Sequence, residues 1–229
     1  MVDNGVIGGT YKVNETPELA RTTIYRLLRA DILSCTLRPG SQIQERELIE
    51  RFAVSKSPIR DALLKLEEQN LIEILPRKGY RVKPVSLTDA RELYDMRLIL
   101  ERECVLRAIE QSDDSLRELD AYRVGPDSGN LSDWIAYNRQ FHIKIADLSN
   151  NARLAAVTRD VIEQFDRLTY TSVSLTGPKG QARFVSEHVA IIHALQQRDR
   201  RNALSYAKDH VEDARRVVLS SLENPTIVP

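Results

Sequence analysis

The 229 residues include only two cysteines, one tryptophan, nine glycines and nine prolines, and aromatics make up 6% of the chain. Cys35 and Cys104 are too few and too far apart for a disulfide framework. Each stands in a helix-like run, so both read as buried thiols. Sparse glycine and proline beside plentiful Leu, Ala, Arg and Glu exclude collagen-like and low-complexity structure and favour a mainly helical fold. No apolar run approaches the roughly twenty residues of a membrane span and no signal peptide is evident, which leads to the expectation of a cytoplasmic protein with no membrane partner. A Gly-rich phosphate loop, a nucleophile elbow and an H-E-x-x-H stretch are all absent.

Net charge is lacking too, with 33 basic and 33 acidic residues. Its distribution is uneven. Residues 1–84 hold 14 Lys+Arg against 11 Asp+Glu, and residues 85–229 hold 19 against 22. A neutral protein binds nucleic acid only where its cations cluster, and one monomer with so few would bind weakly at physiological salt, which points to a dimer. The length suits two modest domains. The expected division is a flexible arm over 1–20, a first domain over 21–85, a second over 86–223, and a tail over 224–229.

The stretch from Val54 to Val82 is the most informative. Ser55 stands where an N-cap is wanted, and Pro58 falls in a first helical turn, where a missing N–H costs least. Ile59, Ala62, Leu63 and Leu66 then recur at helical spacing, while Lys56 and Arg60, one turn apart, share a polar face with Ser57 beside them. Upstream, Gln44 to Arg51 is a shorter amphipathic piece with Leu48 and Ile49 inward, joined by Phe52-Ala53-Val54. That is helix-turn-helix spacing. Downstream, Leu71 to Leu75 and Tyr80 to Val85 alternate around Pro76-Arg77-Lys78-Gly79, a two-stranded hairpin with a basic tip placed where a phosphate or a minor groove would lie.

Arg21 to Val85 resembles the winged helix of the GntR family of bacterial transcription regulators. The likeness rests on Ile32-Leu33, Leu37 to Gly40, Glu45 to Leu48, Val54 to Leu63 and Gly79. It implies that Arg46, Ser55, Lys56, Ser57 and Arg60 touch DNA and that the wing glycine, Gly79, enters the minor groove. Lys56 departs from the arginine that many members carry. A lysine meets a phosphate or a guanine edge without the bidentate fork.

Beyond Pro84-Val85-Ser86, with Ser86 or Thr88 as cap, six helices are expected, near 88–110, 113–123, 131–148, 151–174, 179–197 and 199–222. Breaks fall at Gln111-Ser112-Asp113, Gly125 to Gly129, Ser149-Asn150-Asn151, Gly177-Pro178-Lys179-Gly180 and Arg198-Asp199. Three of the four histidines lie on apolar helical stripes here. Asn138 and His142 are one turn apart, His188 shares a face with Ile191, Ile192 and Leu195, and His210 sits among Ala207, Val211, Ala214 and Val217. His193 points elsewhere. Spacing alone leaves two readings open, core imidazoles or a metal site built from facing helices.

Leu93 to Arg97, Glu101, Phe141-His142, Asn151, Glu187-His188, Ala194-Leu195 and Ala203 to His210 resemble the all-helical FCD domain of the FadR-type branch, and six helices resemble its VanR-like subgroup. The resemblance implies a divalent metal, zinc first with nickel or manganese as alternatives, at Asn138, His142, His188 and His210. Asn138 stands where many members have Asp. It also implies that Arg97 faces an effector cavity, although Arg97 can equally serve as a buried partner of Glu101; Thr169 to Ser172 are a weaker candidate lining. The fold expected is therefore mainly α, an N-terminal winged helix-turn-helix followed by an all-α effector-binding bundle. The function expected is a homodimeric, ligand-responsive repressor that binds a pseudo-palindromic operator and a small carboxylate effector. The alternatives are a metal-dependent hydrolase and a metal sensor in which the ion itself is the signal.

Overall fold

The computed structural model describes residues 17–127 and 130–223, of which 17, 18 and 171–179 are described by backbone alone. The expected arm over residues 1–16 and the tail over 224–229 lie outside the described residues. The chain divides into two compact units, one ending at Val85 and the other beginning at Ser86. Among the described residues, no helix is long and apolar enough to cross a membrane.

The first unit holds α1 (Pro17–Leu33), β1 (Gln42–Ile43), α2 (Glu45–Phe52), α3 (Lys56–Glu68), β2 (Ile72–Leu75) and β3 (Gly79–Val82). Residues 17–20, expected in the arm, already belong to α1. Apolar residues at helical spacing on α1, α2 and α3 meet the inward faces of the strands in one core that includes Ile24, Leu28, Leu48, Phe52, Ile59, Leu63, Leu66 and Ile72. Ala53, in left-handed geometry with φ 51°, turns α2 into α3. Ser55 takes the N-cap backbone conformation of α3, but its hydroxyl caps nothing. Arg51 and Asp31 form an ion pair at 2.7 Å in this unit.

The wing has three strands in the order β1-β3-β2 rather than the expected two. β1 is only two residues long and pairs Gln42 with Arg81 and Ile43 with Tyr80. At the turn, Gln44 Nε2 donates to the Lys78 carbonyl at 3.0 Å. Gly79 has φ 92°, and a Cβ there would stand 2.8 Å from the Ile43 carbonyl oxygen. The backbone therefore requires this glycine whatever it meets in DNA.

The second unit is wholly helical: α4 (Leu87–Ala108), α5 (Asp113–Arg117) running into a 3-10 turn over Glu118–Tyr122, α6 (Leu131–Asp147), α7 (Ala152–Gln196) and α8 (Arg200–Glu223). Ser86, Ser112, Asn130 and Asn151 each accept a backbone N–H in the first turn that follows, which fixes where these helices start. Asn150 and Arg198, both at positive φ, end the preceding helices at the expected breaks. One expected break is absent. α7 continues through Gly177-Pro178-Lys179-Gly180, so two expected helices are one of 45 residues. A proline inside a helix costs about 3 kcal/mol. Here both flanks are anchored by burial, through Val161, Ile162, Phe165 and Leu168 before it and Phe184, His188, Ile191, Ile192 and Leu195 after it. Cys104 is buried and its thiol is pushed up to about 11 by desolvation, while Cys35 is only half-buried; among the described residues neither is in a disulfide.

Gly79→Ala should lower the melting midpoint of the first unit, at a cost of about 1–3 kcal/mol from the strained backbone and the clash with the Ile43 carbonyl. Gly40 provides the control, because it also has positive φ but nothing lies within 4 Å of its Cβ position. Gly40→Ala should cost clearly less in the same thermal melt, and equal losses would remove the clash from the account.

Candidate functional site

In the first unit the polar face of α3 is built around a carboxylate. Glu45, the first residue of α2, receives Lys56 Nζ at 2.9 Å and Arg60 Nε at 3.0 Å. The Tyr80 hydroxyl, from β3, donates to the same carboxylate at 3.3 Å. Burial opposes ionisation of Glu45, but the hydrogen bonds from Lys56 and Arg60 outweigh it and hold its carboxyl below the usual range. Ser55, Lys56, Ser57 and Arg60 are all exposed, so one surface presents two hydroxyls and two cations. Arg46 is exposed and paired with Glu50 at 3.0 Å. Arg77 and Lys78 are exposed on the wing tip. Glu45 was not singled out as a site residue in the sequence, because its partners Lys56, Arg60 and Tyr80 come from other elements.

In the second unit the three histidines meet. His142 on α6, His188 on α7 and His210 on α8 are buried, and one ring nitrogen of each lies within 4.8 Å of the others. The second ring nitrogen of each ring is occupied. His142 Nδ1 is 2.9 Å from the Glu101 carboxylate, and His210 Nδ1 is 2.8 Å from that of Glu187. His188 Nδ1 is 3.2 Å from the Tyr137 hydroxyl, which already donates to the Tyr122 carbonyl. Each of these partners can only accept from the imidazole, so each Nδ1 is the donor.

The lone pairs are therefore on the three Nε2 atoms. His210 Nε2 is 3.2 Å from His142 Nε2, and between neutral rings of this tautomer no proton bridges them. His188 Nε2 is buried with no hydrogen-bond partner. Two nitrogens held by one ion at about 2.0–2.1 Å lie about 3.0 Å apart at a right angle and about 3.4 Å apart at the tetrahedral angle. The orphaned His188 Nε2 and the facing His142 and His210 nitrogens thus fit a divalent cation, with Glu101, Glu187 and Tyr137 as the outer acceptors that orient such ligands. Stacking fixes the His188 ring as well, its centroid 3.9 Å from that of Phe141.

Arg97 is the buried partner of Glu101. Its Nε donates to Glu101 at 2.5 Å, and its Nη2 lies 2.7 Å from His142 Nε2. Burial would raise the Glu101 carboxyl, but the adjacent Arg97 guanidinium and His142 hold it ionised, well below the ordinary carboxylate range. Arg97 also lines a cavity of about 30 Å³ together with Asn138, Thr169, Phe184 and His210. Asn138 makes no hydrogen bond among the described residues. That volume holds about one water-sized group. Tyr170 is largely exposed, and the side chains of Thr171 and Ser172 lie outside the described residues. Tyr137 and the outer role of Glu187 were not expected, since both reach across to a neighbouring helix.

Comparison with known proteins gives a consistent answer. Residues 92–213 match the FCD domain, and residues 20–82 match the bacterial regulatory proteins of the gntR family. The HTH-type transcriptional repressor RspR of Escherichia coli K12 is 29% identical over 181 residues, covering 77% of this chain and 78% of its own length. YdfH of Escherichia coli O6:H1, described as an uncharacterized HTH-type transcriptional regulator, is 29% identical over 193 residues, covering 82% and 83%. Among solved structures, E. coli McbR/YncC shares the fold with a TM-score of 0.77 at 20% identity, over 90% of this chain and 99% of that one. A GntR family member from Pseudomonas syringae pv. tomato str. DC3000 superposes with a TM-score of 0.52 at 26% identity, over 95% and 91%.

The tautomers are directly measurable. In metal-free protein, long-range nitrogen–proton NMR should find His142 and His188 protonated on Nδ1 and bare on Nε2, and an Nε2–H on either ring would break the assignment. Burial pushes His142 down to about 3 and His188 well below its ordinary 6.5. Below that ordinary value the unfolded chain takes up protons that the fold refuses, so stability should fall on acidification by about 1.4 kcal/mol per pH unit for each such ring.

Proposed function

The chain belongs to the GntR family of DNA-binding transcription regulators and carries its FCD domain, and from that premise we propose that it is a homodimeric, ligand-responsive repressor acting in the cytoplasm. Its winged helices read a pseudo-palindromic operator, and its helical unit takes a small carboxylate metabolite at a divalent metal. The observation that carries this reading is the convergence of three Nε2 lone pairs beside a cavity that Arg97 and Asn138 also line. His142, His188 and His210 would hold the ion, zinc first, with nickel or manganese as alternatives. The Asn138 amide oxygen is a weak fourth ligand. A bound divalent ion supplies a Lewis-acid anchor for a carboxylate oxygen.

The chain's own residues set the terms of entry. Arg97 already donates to His142 Nε2, so this guanidinium must give up that bond when the nitrogen takes an ion, and it then has a free fork for a carboxylate. A cavity of about 30 Å³ admits no metabolite as it stands. Effector binding has to part α4, α6, α7 and α8 around it, and the ligand shifts DNA affinity only by as much as it prefers the opened arrangement. A repressor role agrees with the name that RspR carries. The hydrolase alternative falls with family membership, since the matching families and relatives are transcription regulators. The small cavity favours one second reading, in which the ion itself is the signal.

On the DNA side, Arg60→Ala should cost about 1–3 kcal/mol of operator binding per half-site while the helical unit still folds and dimerises. Footprints should show two symmetric protections about one helical turn apart, as a two-fold dimer requires. Wild-type affinity in Arg60→Ala at moderate salt would remove Arg60 from the interface.

On the metal side, elemental analysis of purified protein should find one divalent ion per chain. His188→Ala should lose it, together with the response to carboxylates, and keep effector-free DNA binding. Asn138→Asp should tighten the ion by supplying the missing charge. Screening carboxylic acids by thermal shift with and without metal separates the two readings, because a bound ligand raises the melting point. Protein that takes up no zinc, nickel or manganese at micromolar free ion would reduce the histidines to core residues.

A further inference from the structure

We propose that Glu45 is a specificity-determining positioning residue of the reading head. By holding Lys56 and Arg60 side by side, it presents their remaining N–H groups to base edges and withholds both cations from the phosphates of unrelated sequences. The inference rests on the DNA-binding reading above.

Glu45 makes three contacts from three directions. Lys56 and Arg60 approach at 2.9 and 3.0 Å from successive turns of α3, and Tyr80 from the wing strand at 3.3 Å. Lys56 and Arg60 are 54% and 56% exposed, whereas Glu45 is only 19% exposed. The acid is thus the fixed member and the cations are the presented ones. Exposed ion pairs of this kind contribute little to stability, so folding alone does not account for three donors on one carboxylate. The contact to Arg60 is through Nε, which leaves the two terminal nitrogens of the guanidinium, the pair that meets guanine O6 and N7. Lys56 has no fork of its own, and an anchored ammonium has fewer positions to choose from.

The charge balance points the same way. A backbone phosphate attracts a free lysine or arginine whatever the sequence, and each such contact releases counterions. With Glu45 between them, the two cations and one anion carry a net charge of +1 instead of +2. Weak attraction to any DNA and strong attraction to the correct bases is the combination that raises a specificity ratio.

The test compares full-length wild type with Glu45→Gln. Each is used to select duplexes from a randomised pool, and affinities are then measured for the selected duplex and a scrambled one across a potassium chloride series. Wild type should enrich one pseudo-palindrome. Glu45→Gln should bind that duplex about tenfold more weakly and the scrambled one several-fold more tightly, with a salt slope on the scrambled duplex steeper by about one or two. The opposite signs are what a merely structural role would not produce. Proportional weakening on both duplexes, or an unchanged ratio, overturns the proposal. Wild type that enriches no sequence overturns the DNA-binding reading itself, and this inference with it. Should Glu45→Gln fail to fold, Glu45→Asp keeps the charge and withdraws the carboxylate by one methylene. Its specificity ratio should fall with the scrambled affinity unchanged, and a wild-type ratio in Glu45→Asp also overturns the proposal.

Discussion

The arrangement of the helical unit depends on one buried carboxylate. Glu101 is 4% exposed on α4, and an ion in that position loses several kcal/mol of hydration that only close partners can return. It has two, the Arg97 guanidinium on its own helix and the His142 ring on α6. Because the carboxylate accepts, His142 must donate from Nδ1. Because Nδ1 donates, the lone pair faces inward. Glu187 imposes the same choice on His210, and Tyr137, committed to the Tyr122 carbonyl, imposes it on His188. Of the three converging Nε2 lone pairs, that of His142 is met by Arg97 and that of His188 has no hydrogen-bond partner, and a cation would serve all three.

Glu45 in the reading head has the same design in another dielectric. Glu101 gathers two donors and Glu45 three. Glu101 does so where water is excluded, so breaking its set leaves an uncompensated charge and would cost several kcal/mol. Glu45 does so at a surface where each pair contributes at most about 1 kcal/mol. Lys56 and Arg60 keep their remaining N–H groups turned to solvent while paired to Glu45, whereas Arg97 is enclosed with Glu101 and cannot leave it without stranding a buried charge. The two acids thus provide a clamp at the surface and a frame in the interior.

Much of this was legible in the sequence because it rests on periodicity. The spacing of Ile59, Ala62, Leu63 and Leu66 placed the recognition helix and its polar face, and the apolar stripes around His142, His188 and His210 turned all three rings inward. What stayed hidden depends on neighbours distant in sequence. Tyr137 and Glu187 orient rings on other helices, and no spacing within one helix reports that. β1 pairs only two residues with β3, too few for alternation to register. Gly177-Pro178 reads locally as a break, but burial on both flanks carries α7 through it. The cavity's size was beyond reach altogether, because it is a difference between large packed volumes.

That size constrains the mechanism more than the lining does. With room for about one water, the cavity admits no carboxylate of several carbons as it stands, and on the proposed reading such an effector would bind only the fraction of molecules in which the helices have parted. The apparent dissociation constant is then the intrinsic one divided by that fraction. On the proposed reading, loosening the packing around Trp134 and Phe184 would raise effector affinity in proportion to the opened fraction, while the closed, DNA-binding fraction would shrink only slightly as long as it dominates. An ion needs no such opening. On the proposed reading, metal occupancy and effector occupancy would therefore be separable events at one centre, the first decided by Nε2 lone pairs already in place and the second by the cost of parting four helices.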